Sequence, residues 1–155
     1  MVHIQNPHDR FFKETFSHRE VVLDFVENYV PQRIAARLDR DTLKLSKETF
    51  VDEELEERFS DLLYEVKLKE KGRVFIYFLF EHKSYQDPEV ALYLLLLMVR
   101  IWLNYRKQEK GGLLPPILPL VVYHGERGWK ATPRFQDLVG SIDVMSSYVP
   151  DFEYL

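Results

Sequence analysis

Apolar positions along this chain change their period from segment to segment. Between residues 9 and 30, Phe11, Phe12, Phe16, Val21, Val22, Phe25, Val26, Tyr29 and Val30 recur among charged residues, which predicts one or two amphipathic helices. Ser17, with Glu20 three residues on, is the expected cap of the second helix, and Pro31 closes it. Over residues 33–51 the apolar positions Ile34, Leu38, Leu43, Leu45, Phe50 and Val51 follow no dominant period. Asp52 to Glu57 then contributes five acids before Arg58 and reads as a solvated loop.

From Phe59 the pattern becomes that of strands. Residues 59–68 and 73–83 are rich in aromatic and β-branched side chains, and Glu70-Lys71-Gly72 between them predicts a three-residue hairpin loop with Gly72 in the left-handed region. A long helix follows, with Asp87 as N-cap and Pro88 at its first position, running through Val90 to about Gln108 before Gly111-Gly112. Its apolar run, interrupted at Arg100, is shorter than the roughly 18 to 20 uncharged residues a bilayer span needs, so it reads as a buried core helix. Ile117 to Tyr123 is a short apolar strand ended by a turn at His124-Gly125, Phe135 to Val139 a short helical piece, and Phe152 to Leu155 the start of another strand. This order of elements predicts an α/β fold: a mixed sheet flanked by helices, with a β-hairpin followed by a long buried helix.

The 155 residues, 46% hydrophobic and 30% charged, suit one globular domain over 1–155 and exclude disordered or collagen-like classes. With no Cys, a disulfide framework, a thiolate zinc site and a cysteine nucleophile are excluded, which suits a reducing compartment; cytoplasm is the expected location. The opening M-V-H-I-Q-N-P-H-D shows neither the basic nor the apolar region of a secretion signal. A net charge of −4 argues against binding nucleic acid by bulk charge, so any such role needs a local site.

The hairpin supplies that site. With residues 70–72 as the loop, Asp61 falls opposite Glu81; one face carries Leu62, Tyr64, Val66, Leu68, Val74, Ile76, Phe78 and Phe80, while the other carries Asp61, Leu63, Glu65 and Lys67 beside Phe75, Tyr77, Leu79, Glu81 and Lys83, its polar groups gathered towards the open end of the hairpin. Two opposed carboxylates repel unless a cation lies between them, and removing one would then relieve the repulsion rather than harm the fold. Lys83, two residues beyond Glu81, is one such cation; Mg²⁺, which takes one or two carboxylates and keeps several waters, is the other. A bound metal polarises a phosphoryl oxygen and lowers the pKa of its water, and Lys83 is placed to hold the attacking water. An exposed sheet face with ordinary salt bridges accounts for the same residues, and spacing alone does not separate the two.

Asp61 followed by Glu81-His82-Lys83 at the end of an apolar strand resembles the D…(D/E)-x-K signature of the PD-(D/E)XK nuclease superfamily. More narrowly, the blocks N-P-H-D-R-F-F-K-E-T-F (Asn6 to Phe16), F-S-D-L-L-Y (Phe59 to Tyr64), Y-F-L-F-E-H-K-S (Tyr77 to Ser84) and P-L-V-V-Y-H-G (Pro119 to Gly125) resemble the Rpn/YhgA-like recombination-promoting nucleases, long labelled putative transposases. The resemblance implies a restriction-endonuclease-like core whose hairpin carries the active site, and Mg²⁺-dependent (or Mn²⁺- or Ca²⁺-binding) DNA endonuclease activity associated with bacterial mobile elements. It implies Asp61 and Glu81 as metal ligands, Lys83 as catalytic cation, and Glu14 as a further ligand candidate. Many members carry Gln at the position of Lys83, and members usually continue well past Tyr148 to Leu155, which implies a chain truncated at its C-terminus. DNA is the implied partner, at the nucleoid, with no membrane; a homodimer or pairing with a full-length homologue is the further partner expectation.

Gln86, Arg100, Arg106 and Lys107 are the DNA-contact candidates, although cations at a helix end are more often solvated. His82 points to the apolar face under this register and His124 suits a turn, while Trp102 and Trp129 suit packing. No phosphate loop, HExxH or GxSxG is present. The rival functions are a DNA-binding or transposition-accessory protein that keeps the fold without cleaving, and a truncated interaction module.

Overall fold

Two extended segments that alternate large apolar side chains on both faces must be covered on both sides, and this sets the architecture. The computed structural model describes residues 7–82, 87–123, 128, 131–140 and 143–155. In chain order it contains α1 (Pro7–Phe16), α2 (Arg19–Tyr29), α3 (Gln32–Ala35), β1 (Leu38–Leu45), β2 (Phe59–Leu68), β3 (Arg73–Glu81), α4 (Val90–Gln108) and β4 (Ile117–Val122), followed by two short 3₁₀ turns. The sheet order is β1-β2-β3-β4, with β1/β2 and β2/β3 antiparallel and β3/β4 parallel through the α4 crossover. Helices α1 and α2 pack on the face bearing Leu62, Tyr64, Val66, Ile76, Phe78 and Phe80. The inner face of α4 packs on the other, against Phe59, Leu63, Phe75, Tyr77 and Leu79. The result is the expected mixed sheet flanked by helices, compatible with a restriction-endonuclease-like core.

The hairpin loop opens earlier than its composition suggests, so the partner of Arg73 on β2 is two residues nearer the N-terminus. Lys67 pairs with Arg73, and the Leu68 N–H donates to the Gly72 carbonyl at 2.9 Å. Gly72 has φ +116°, so the left-handed position is where expected, but the loop takes in Lys69 as well. Asp61 therefore pairs with Leu79 and Glu81 with Phe59, rather than with each other. A slip of two residues preserves which side chains share a face.

Strand β1 lies where no period was visible. Its register jumps between Asp39, opposite Lys67, and Lys44, opposite Glu65, so extra residues bulge out and break the alternation. As an edge strand it buries only Leu38 and Leu43. Thr42 closes the bulge, donating its hydroxyl to the Asp39 carbonyl at 2.6 Å and accepting from the Lys67 N–H at 2.9 Å.

The helix ends also differ in detail. His18, not Ser17, is the N-cap of α2; the Ser17 hydroxyl instead donates to the Glu14 carbonyl at 2.6 Å and closes α1. Helix α4 begins at Val90 with Glu89 as N-cap, and Asp87 acts one step earlier, accepting from the Glu89 N–H at 2.8 Å. At the far edge of the sheet, Leu155 donates to the Pro119 carbonyl at 3.1 Å and accepts from the Val121 N–H at 2.9 Å, but residues 152–155 form no strand, their one β-bridge being Glu153 with Arg134. Pro119 is tolerated because the amide hydrogen it lacks belongs to this outer edge, not to the ladder with β3.

Tyr64 clamps α1 to the sheet: fully buried, it donates its hydroxyl to the Phe16 carbonyl at 2.5 Å. Burial, with a smaller contribution from the charge of Glu20, pushes its pKa from 10.0 up to about 12. The unfolded chain releases this proton near pH 10 while the folded one keeps it, so the stabilisation is full below pH 10 and is lost as pH rises towards 12. Urea unfolding is predicted to find Tyr64→Phe about 1 kcal/mol less stable than wild type at pH 7. That deficit should shrink or reverse at pH 11; a pH-independent difference would contradict this account of the clamp.

Candidate active site

Three strand positions in a row define the site. On the α4-facing side of the hairpin, Asp61 stands opposite Leu79 and lies diagonally between Tyr77 and Glu81. Diagonal neighbours across an antiparallel pair are separated by about 7 Å, further than directly opposed ones, so the two carboxylates are near without being pressed together. Both are buried, Asp61 at 2% and Glu81 at 3% exposure.

Asp61 accepts four hydrogen bonds. Its Oδ2 accepts from the Tyr77 hydroxyl at 2.7 Å, the Phe50 N–H at 2.8 Å and the Val51 N–H at 3.2 Å, and its Oδ1 accepts from the Thr49 hydroxyl. The carboxylate thus pins the segment 49–51 across β2. Tyr77 is held in its neutral donor form, its pKa raised first by burial and then by the charge and hydrogen bond of Asp61, with Arg100 acting in the opposite sense. Arg100 donates to the Phe50 carbonyl at 3.0 Å and to Asp52 Oδ2 at 2.9 Å, tying the same segment to α4. The five acids of the run are exposed, as a solvated loop requires, while Leu55 among them is buried and the run leads directly from Asp61's partners to Arg58.

Arg58 frames the other end. It pairs with buried Asp87, donates to the Tyr93 hydroxyl at 2.6 Å and lies 4.6 Å from the Tyr93 ring centre. Its carbonyl accepts from the His82 N–H at 2.9 Å, one residue past Glu81, so the start of α4 is fixed beside the end of β3.

The structure brings Asp61 and Glu81 together on one face and leaves Glu14 elsewhere. Glu14 is exposed on α1, which packs against the opposite face through Phe12 and Phe16. Lys83 and Gln86 lie outside the described residues, as do His124 and Trp129. Arg106 directs its guanidinium to the Gly111 and Gly112 carbonyls at 2.7 and 3.1 Å, closing the end of α4. Lys107 is exposed and borders a groove of about 440 Å³ that Thr49, Phe50 and Arg100 also line. Neither carboxylate of the pair lines that groove. Among the described residues no cluster of three His, Asp or Glu side chains could hold a metal ion. Two carboxylates nevertheless match the all-oxygen donor set that Mg²⁺ takes, and Oδ1 of Asp61, with one donor, keeps a lone pair that Oδ2, with three, does not.

Thr49, Arg58 and Tyr77 went unassigned in the sequence. Only Tyr77 carried a signal, since alternation already places it on the face of Asp61.

These bonds reverse the expected effect of deleting Asp61. Asp61→Ala leaves two backbone N–H groups and two hydroxyls without their acceptor, each worth roughly 1 to 3 kcal/mol when buried. The variant is predicted to lose about 3 kcal/mol or more in metal-free denaturant unfolding, and Tyr77→Phe about 1 kcal/mol. Wild-type stability in Asp61→Ala would contradict the pinning role.

Comparison with known proteins gives this hairpin its context. RpnD of Escherichia coli O157:H7, named a recombination-promoting nuclease, is 36% identical over 121 residues, covering 78% of this chain and 46% of RpnD. RpnA of E. coli K12, with the same designation, is 34% identical over 119 residues, covering 77% of this chain and 40% of RpnA. RpnE of E. coli K12, named an inactive recombination-promoting nuclease-like protein, is 31% identical over 122 residues, 78% of this chain and 40% of RpnE. The chain thus spans less than half the length of these relatives. No solved structure matches it. Residues 6–155, nearly the whole chain and all of the hairpin, match the family described as "Putative transposase, YhgA-like", and to that family this chain belongs.

Proposed function

We propose that this chain is the nuclease core of a divalent-metal-dependent DNA endonuclease, in which Asp61 and Glu81 hold Mg²⁺ and Lys83 is the catalytic cation. The observation that carries the proposal is the burial of both carboxylates on one face of the central hairpin, diagonal to each other, beside the end of β3. A buried like-charge pair is costly without a cation, and a nuclease-named family supplies the reason to keep one. When bound, Mg²⁺ would polarise the scissile phosphate and lower the pKa of a water ligand. The Asp61 carboxylate, with Oδ2 held by Tyr77 and the 50–51 amides, would present Oδ1 in a fixed direction. Lys83, two residues past Glu81, would hold the attacking water or a phosphate oxygen.

Phosphate-backbone contacts in this proposal fall to Lys107 and Gln86. Arg100 and Arg106 point at acceptors of the protein itself and would shape the surface rather than grip the strand. With a net charge of −4, affinity would be modest and would fall as salt rises.

One observation favours a second reading, a protein that keeps the fold without cleaving. Asp61 has a complete structural task in holding residues 49–51, so the residue would be retained without catalysis, and RpnE is named inactive. A supercoiled-plasmid nicking assay separates the two. The nuclease proposal predicts nicking in Mg²⁺, none in EDTA, and a loss of about 100-fold or more in Glu81→Gln, a near-isosteric change that leaves the hydrogen bonds of Asp61 alone. Cleavage that survives EDTA or Glu81→Gln would sink the proposal, and a folded wild type that never nicks would favour the second reading.

A further inference from the structure

Helix α4 is apolar nearly all round. Val90, Ala91, Leu94, Leu97, Met98 and Ile101 are buried against the sheet. On the opposite side Leu92, Leu96, Val99 and Leu103 are 48, 42, 40 and 61% exposed. Their four-three-four spacing sets them in one line along the helix, and a surface helix ordinarily carries charge there. Scattered exposed leucines need no explanation, but a continuous row does.

We propose that this row is the contact for a second copy of the chain, the two α4 helices packing antiparallel about a two-fold axis that passes between Leu96 and Val99. The order of residues along the row carries the proposal. Glu89 continues the line at the N-terminal end and Arg106 at the C-terminal end, so the row reads acid, four aliphatics, base. In the antiparallel arrangement Leu96 meets the partner's Val99, Leu92 meets the partner's Leu103, and Glu89 meets the partner's Arg106. Every position finds a complement in the same sequence reversed, which is what an isologous interface requires.

A parallel arrangement would set Glu89 against Glu89 and Arg106 against Arg106, so charge selects the antiparallel one. The spacing is that of alternating a and d positions, which pack at about 20° with axes roughly 8 to 10 Å apart. Arg106 is held at the helix end by the Gly111 and Gly112 carbonyls, and its guanidinium has five N–H donors in all, enough to reach a carboxylate as well. A two-helix contact of this length falls at the small end of specific interfaces, which gives a dimer of about micromolar affinity. The proposal stands whether or not the chain cleaves DNA.

Sedimentation velocity over a concentration series from about 1 to 100 µM tests it on the whole 155-residue chain. Expected is a rise from monomer to twice the chain mass, abolished by Leu96→Glu and unaffected by Leu113→Glu, whose site is 93% exposed and lies beyond α4. Both positions face solvent, and thermal melting verifies that each variant folds. Because the chain has no native Cys, orientation can be read by disulfide formation. An oxidised mixture of Leu92→Cys and Leu103→Cys proteins should give covalent dimers joining one of each, while neither protein does so alone. A chain monomeric throughout the series, a dimer indifferent to Leu96→Glu, or cross-linking within either single variant would overturn the proposal.

Discussion

A buried carboxylate in the middle of a sheet needs donors, and the local architecture follows from where Asp61 finds them. Tyr77 comes from the neighbouring strand, and the Phe50 and Val51 amides with the Thr49 hydroxyl come from the chain entering β2. Binding three consecutive residues at one carboxylate draws the segment after β1 back across the hairpin, where Arg100 takes the Phe50 carbonyl and Asp52. Strand, connecting segment and helix are thereby joined through one side chain. The same side chain shares its sheet face with Glu81, so the group that fixes this part of the fold is also the group that the nuclease proposal uses.

In the nuclease proposal this double role would have an energetic reason. A carboxylate dedicated only to metal would stand beside Glu81 as an uncompensated charge whenever the metal is absent. Four hydrogen bonds offset much of the cost of burying Asp61, with or without a metal. The ion pair of Arg58 with Asp87, backed by Tyr93, does similar work at the start of α4, and sets the position from which the helix crosses back to β4.

What was legible in the sequence was what depends on parity and composition. The two-faced hairpin survives a two-residue error in its turn, because Asp61 and Glu81 stay on one face in either register. The long helix was legible from its apolar run and its glycines. Strand β1 was not, since a bulge destroys its period and an edge position removes the need for a buried face. Most of the hydrogen bonds of Asp61 were not legible either: they link residues ten to sixteen positions apart, and two of the four come from backbone amides, which carry no sequence signal. The outer row of α4 was visible as hydrophobicity, but only the tertiary structure separates the leucines that meet the sheet from those that meet solvent.

The central claim is that Asp61 and Glu81 form one cation site, and crystals soaked in Mn²⁺ test it most directly. Anomalous difference density is predicted between the two carboxylates, with an oxygen of each at about 2.1 Å, and is predicted to disappear in Glu81→Gln crystals. Density absent from that position, or bound to other residues alone, would contradict the account and leave Asp61 as a structural carboxylate.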